Sequence, residues 1–148
     1  MQFLFGERVP AEWMTFLMGE SSHPIFELEL LPVLVSLITW RSKLAQCQCI
    51  FYLDNAAAKG ALIHAATSTK SGQAILREFI NEEMDIQIKV WFSRVPTASN
   101  IADSPSRLET EELNALGVER STVDWKVLLE RVGKIGSNQW GLDDGIRD

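Results

Sequence analysis

The chain has 148 residues, 46% of them hydrophobic and 23% charged, with 20 acids against 14 bases and a net charge of −6. That length can bury a core without disulfides or a structural metal. The strong basicity that usually marks a nucleic-acid binder is absent, although a protein that meets phosphate through divalent metal does not need it. No run of about 18 or more apolar residues suits a membrane helix, so no membrane partner is expected, and "MQFLFGERVP" lacks the pattern of a secretory leader. Cys47 and Cys49, two apart on one expected strand, suit neither a disulfide nor a zinc site, and a reducing, intracellular setting is expected.

In chain order, "QFLFGERV" (Gln2–Val9) reads as a short strand. Pro10 then opens a helical turn with Trp13, Phe16 and Leu17 at helical spacing and Gly19 as its stop. Ser22 is an N-cap candidate ahead of the long apolar segment from Ile25 to Ala45. Ile25, Leu28, Leu31, Leu34, Val35 and Ile38 mark one helical face there, and Pro32 predicts a kink or a late helix start. Cys49–Leu53 reads as a buried strand, followed by a helix from about Asn55 to Ala66 and the polar break "TSTKSG". "QAILREFINEEMDI" predicts a second helix with Ile75, Leu76, Phe79 and Ile80 inward and Arg77, Glu78, Glu82 and Glu83 outward. "IKVWFSRV" alternates as a strand that Pro96 ends, and "TASNIADSPSR" is a loop leading into helical turns.

Beyond Arg107 come "LETEELNALG" and a capped helix in "STVDWKVLLERVG", with Val123, Val127 and Leu128 in phase, then the polar tail "SNQWGLDDGIRD". The acid excess concentrates here: residues 1–107 hold 11 acids and 9 bases, residues 108–148 hold 9 and 5. The division expected is a main domain over 1–107 and a helical extension with a polar tail over 108–148. Strands alternating with helices predict an α/β fold, a small mixed sheet flanked by helices. The five tryptophans are expected in the core, and His23 and His64 at the surface.

Three acids are surrounded by apolar sequence: Glu29 in "IFELELLPVL", Asp54 at the tip of the central strand and Asp103 in "SNIADSPSR". Ligands of open α/β sheets gather outside the carboxyl ends of strands. Converging carboxylates are costly unless a cation neutralises them. Oxygen ligands without histidine or thiol favour Mg²⁺ or Mn²⁺, ions that suit attack of water on a phosphodiester. Each acid also has a plainer reading. Asp54 could cap the next helix, Asp103 could cap its own turn, and Glu27 rivals Glu29 on spacing.

Taken in order, "LELLPVLVSLITW", "IFYLDNAAAKGAL" and "VWFSRVPTASNIADSPSR" resemble the ribonuclease H domain of retrotransposon reverse transcriptases, over about residues 25–107. The resemblance implies a ribonuclease H-like fold and two-metal hydrolysis of the RNA strand of RNA–DNA hybrids, with Glu29, Asp54 and Asp103 as catalytic Mg²⁺ or Mn²⁺ ligands. Asn55, Asn100 and Arg107 match substrate-binding positions. It also implies a reverse transcriptase domain upstream as a partner. The family's first strand carries another aspartate that bridges both metals, and the sole acid of "QFLFGERV" is Glu7. The site thus reads as one carboxylate short and the fold as lacking its first strand or strands. The alternative is a non-catalytic ribonuclease H-like structural or protein-interaction module.

Overall fold

A computed structural model describes residues 2–19 and 24–138, so the Ser22 cap and His23 lie outside the described residues, as does the tail beyond Asn138. The fold is mixed α/β, mostly helical, with short strands. In order it runs β1 (Phe3–Leu4), α1 (Ala11–Met18), α2 (Ile25–Thr39), α3 (Arg41–Leu44), β2 (Gln48–Leu53), α4 (Ala56–His64), α5 (Lys70–Ile86), β3 (Lys89–Arg94), α6 (Asp103–Ser106), α7 (Glu111–Ala115), β4 (Glu119–Arg120) and α8 (Trp125–Asn138). No described helix is long and apolar enough to cross a membrane.

The expected single mixed sheet is not seen among the described residues. Two separate parallel pairs form instead, β1 with β4 and β2 with β3. The second is in register from Gln48 opposite Lys89 to Leu53 opposite Arg94. Parallel pairing requires a crossover, and α4 and α5 supply it. The opening strand shrinks from Gln2–Val9 to Phe3–Leu4, because its partner β4 offers only two residues.

The core is built on α2. Leu30, Leu31, Val33, Leu34, Val35 and Leu37 are all buried, so this helix is covered nearly all round, by α5 and α4 in particular. A late start at Pro32 is not seen. The helix begins at Ile25 and continues through the proline. Proline removes one ladder hydrogen bond, but Pro32 faces solvent while its neighbours Leu31 and Val33 are buried, and that packing holds the helix together.

The capping chemistry is local and legible. Asn55 caps α4 by accepting from the Ala58 amide at 2.9 Å, and Thr69 caps α5 by accepting from the Gly72 amide at 3.1 Å. The Thr69 cap starts α5 at Lys70, three residues before the expected Gln73. On α5 the outward placement of Glu78 and Glu82 is overturned: both are buried. The reason is α8, whose Arg131 guanidinium lies 2.5 Å from Glu78 Oε1 and 2.6 Å from Glu82 Oε2. The other Glu82 oxygen is 3.2 Å from Arg41 of α3. Burial alone disfavours the Arg131 charge, but its bonds to Glu82 and Glu78 outweigh that and raise its pKa.

The segment after Arg107 packs on the same core, with Val123, Leu128 and Val132 buried alongside residues of α2 and α5, while Val127 is exposed. The indole N–H of Trp13 donates to the Trp125 carbonyl at 3.0 Å. Glu7 accepts from the Trp125 indole at 2.8 Å and from the Val123 amide at 3.3 Å. The acid of the opening segment is therefore committed to holding the start of α8.

Candidate functional site

The carboxyl ends of β2 and β3 lie at the same edge of their sheet, since the strands are parallel and in register. Asp54 follows directly on the last residue of β2. The pairing extends one step further there, with the Val95 amide donating to the Leu53 carbonyl at 3.0 Å, and Pro96 then turns the chain. A single 3₁₀ turn, Thr97–Ser99, brings Asn100 back over Asp54. The orientation of the Asn100 amide follows from its neighbours. Its Oδ1 accepts from the Ala102 N–H at 3.1 Å, which leaves Nδ2 to donate to Asp54 Oδ2 at 3.3 Å.

Glu29 approaches the same place from α2. Burial first, and then the charge of Asp54, push its carboxyl above the usual range. No lysine or arginine is ion-paired with Glu29 or Asp54 among the described residues. Two carboxylates and an amide thus come close near the carboxyl end of β2, with no ion pair to either carboxylate among the described residues. A divalent cation suits that donor set, with the amide fixing one carboxylate.

Two sequence ambiguities are resolved by position. Glu27, the rival of Glu29, is only 2% exposed, and its Oε1 accepts from the Thr69 hydroxyl at 2.6 Å. It ties α2 to the start of α5. The N-cap of α4 is Asn55, which frees Asp54 from that duty and assigns the Asn55 side-chain oxygen to the helix.

Asp103 is not gathered with the pair. It opens α6, half-exposed, with its amide bonded to the Asn100 carbonyl at 3.1 Å. Its carboxylate lies 3.2 Å from Arg107 one turn later. Two residues expected to meet metal and substrate separately thus meet each other. Among the described residues no group of three or more His, Cys, Asp or Glu side chains could hold a metal ion. The place of α6 is fixed by Gly6: a Cβ there would stand 2.6 Å from the Pro105 carbonyl oxygen, so only glycine allows this approach. Cys47 and Cys49 are free thiols, and burial, then the neighbouring Cys47, raises the pKa of Cys49, which disfavours a reactive thiolate.

Sequence reasoning missed the outward face of the β2–β3 sheet. The supposedly buried strand is half-exposed, with Ile50 and Tyr52 facing out, and Trp91 is 52% exposed rather than in the core. The period-2 pattern was present in both strands, but an all-apolar run from Cys49 to Leu53 hides it. No protein-family model matches the chain, and no curated protein or solved structure matches it either.

Proposed function

We propose that this chain is a ribonuclease H-like domain acting on RNA–DNA hybrids, with Glu29 and Asp54 as the ligands of a Mg²⁺ or Mn²⁺ ion. The observation that carries the reading is the electrostatic coupling of Glu29 on α2 to Asp54, which directly follows a strand of a parallel pair, with no ion pair to either carboxylate among the described residues. The element order also supports it: a helix bearing the glutamate, a strand ending in the aspartate, a two-helix crossover, a parallel strand, then a short helix opened by Asp103. A bound ion supplies charge compensation and an acidified water for attack on phosphate. The chain's own residues supply the rest. Asn100 fixes one Asp54 oxygen, and the Asn55 cap sets where α4 leaves the site. In this reading Asp103 must leave Arg107 to join a second ion. Arg107 is then free for the hybrid's phosphates, and an upstream polymerase domain would deliver that hybrid.

The second reading, a non-catalytic ribonuclease H-like module, is favoured by the Asp103–Arg107 pair and by the commitment of Glu7 to α8. Cleavage of a labelled RNA–DNA hybrid in Mg²⁺ or Mn²⁺ separates the two. The catalytic reading expects cuts in the RNA strand that Asp54→Asn abolishes. Equal product from both proteins, or none from either, supports the module.

A further inference from the structure

The outward face of the β2–β3 sheet is a second feature, distinct from the carboxylate pair. Strand alternation and the register put Gln48, Ile50 and Tyr52 beside Lys89, Trp91 and Ser93 on this face. Ile50 is 57% exposed and Tyr52 61%, so no described element covers them. A shallow hollow of ≈ 470 Å³ is lined by Gln48, Cys49, Ile50, Trp91, Phe92 and Ser93. The opposite face, with Phe51 and Phe92, packs on the core.

Trp91 differs from the other described tryptophans. The indoles of Trp13, Trp40 and Trp125 donate to the Trp125 carbonyl, the Ser121 hydroxyl and Glu7 respectively. Trp13, Trp40 and Trp125 also pack against other aromatic rings, which Trp91 does not among the described residues. The Trp91 N–H and the Tyr52 hydroxyl have no described partner, and a buried or docked Trp or Tyr usually finds one. Charge narrows the occupant. In a chain with 20 acids and 14 bases, none of the six outward residues is acidic. Lys89 stands at one end of the face. A second copy stacked here face to face would bring another lysine and no acid to answer it. A polyanion with flat faces answers both the charge and the rings.

We infer that this sheet face binds single-stranded nucleic acid, with unpaired bases stacking on Tyr52 and Trp91 and the backbone passing Lys89. Stacking on exposed rings requires bases free of a duplex, and it tolerates any sequence because every base has a π-face. The inference does not rest on hydrolysis at Glu29 and Asp54.

The test is fluorescence anisotropy of a labelled oligouridylate of about a dozen nucleotides, a span within single-strand site sizes, titrated with the full chain at low salt in EDTA. EDTA removes metal chemistry, so failure of hybrid cleavage and failure of this binding are read separately. Saturable binding is expected, weakened about tenfold by Trp91→Ala or Tyr52→Ala and restored by Trp91→Phe. Lys89→Gln weakens it and flattens its salt dependence. All three positions are exposed enough that circular dichroism should show unchanged folding. Absence of saturable binding overturns the inference, as does undiminished binding by the folded Trp91→Ala protein. Self-association in sedimentation that Trp91→Ala abolishes, without oligonucleotide binding, overturns it in favour of a second copy.

Discussion

Replacing Arg131 by methionine tests the idea that α8 is held by charge as well as by apolar packing. Its guanidinium stands between Glu78 and Glu82, whose side chains are 7% and 1% exposed. Removing one partner of a buried ion pair costs about 3–5 kcal/mol, because the other charge is left uncompensated. Two features pull the value toward the lower end. Arg41 stays 3.2 Å from Glu82, and the Arg131 side chain is 30% exposed, so water reaches the gap. A loss of about 3 kcal/mol is therefore expected, a large share of the ~5–15 kcal/mol that holds a typical domain folded. In urea, with a slope of about 1.5–2 kcal/mol/M, the midpoint should fall by roughly 1.5–2 M. Tryptophan fluorescence reports it well, since Trp125 sits at the start of α8. Adding Glu78→Leu and Glu82→Met to Arg131→Met should recover most of the loss, because apolar replacement of a whole buried ion cluster is often neutral or stabilising. A midpoint shift below about 0.5 M for Arg131→Met alone would refute the reasoning.

Other perturbations address the candidate site and its supports. The folded-state pKa of Glu29 is raised above its ordinary value of 4.5, by burial and then by Asp54, so ionising it opposes folding. That penalty is absent below the unfolded pKa and grows as pH rises through the folded one. Metal-free Glu29→Gln should therefore melt above wild type at pH 7 and converge with it near pH 4; a lower melting temperature at neutral pH contradicts the site's electrostatics. Asn55→Ala should cost about 1 kcal/mol through loss of the α4 cap, and Asp54→Asn should not, as measured by urea denaturation. Gly6→Ala should destabilise by more than a surface substitution, because its Cβ meets the backbone oxygen of Pro105. An unchanged melting temperature would deny that contact.

The Asp54 position was legible because it rests on local chemistry, an apolar strand meeting an alanine-rich helix, whereas Asn100 was marked only by the resemblance. The N-terminus of α1, at Pro10, follows from a single residue, whereas the α4 cap falls to Asn55 rather than to the expected Asp54. What stayed hidden depends on partners distant in sequence. Glu78 and Glu82 look like a solvated face until α8 brings Arg131 across them, 49 residues beyond Glu82. Spacing alone left Glu27 a rival of Glu29, and only Thr69, 42 residues from Glu27, shows that Glu27 is tied into the scaffold. The Asp103–Arg107 pair is an i,i+4 contact on a short helix and could have been read from spacing alone. The reading of both residues as site groups passed over it.

The central claim is that Glu29 and Asp54 together receive a divalent cation, and calorimetric titration of Mn²⁺ into the metal-free chain tests it most directly. One ion per chain is expected, with binding lost in Glu29→Gln and in Asp54→Asn. It should persist in Asp103→Asn, whose carboxylate is held by Arg107. No binding by the wild type, or equal binding by Asp54→Asn, would contradict the account.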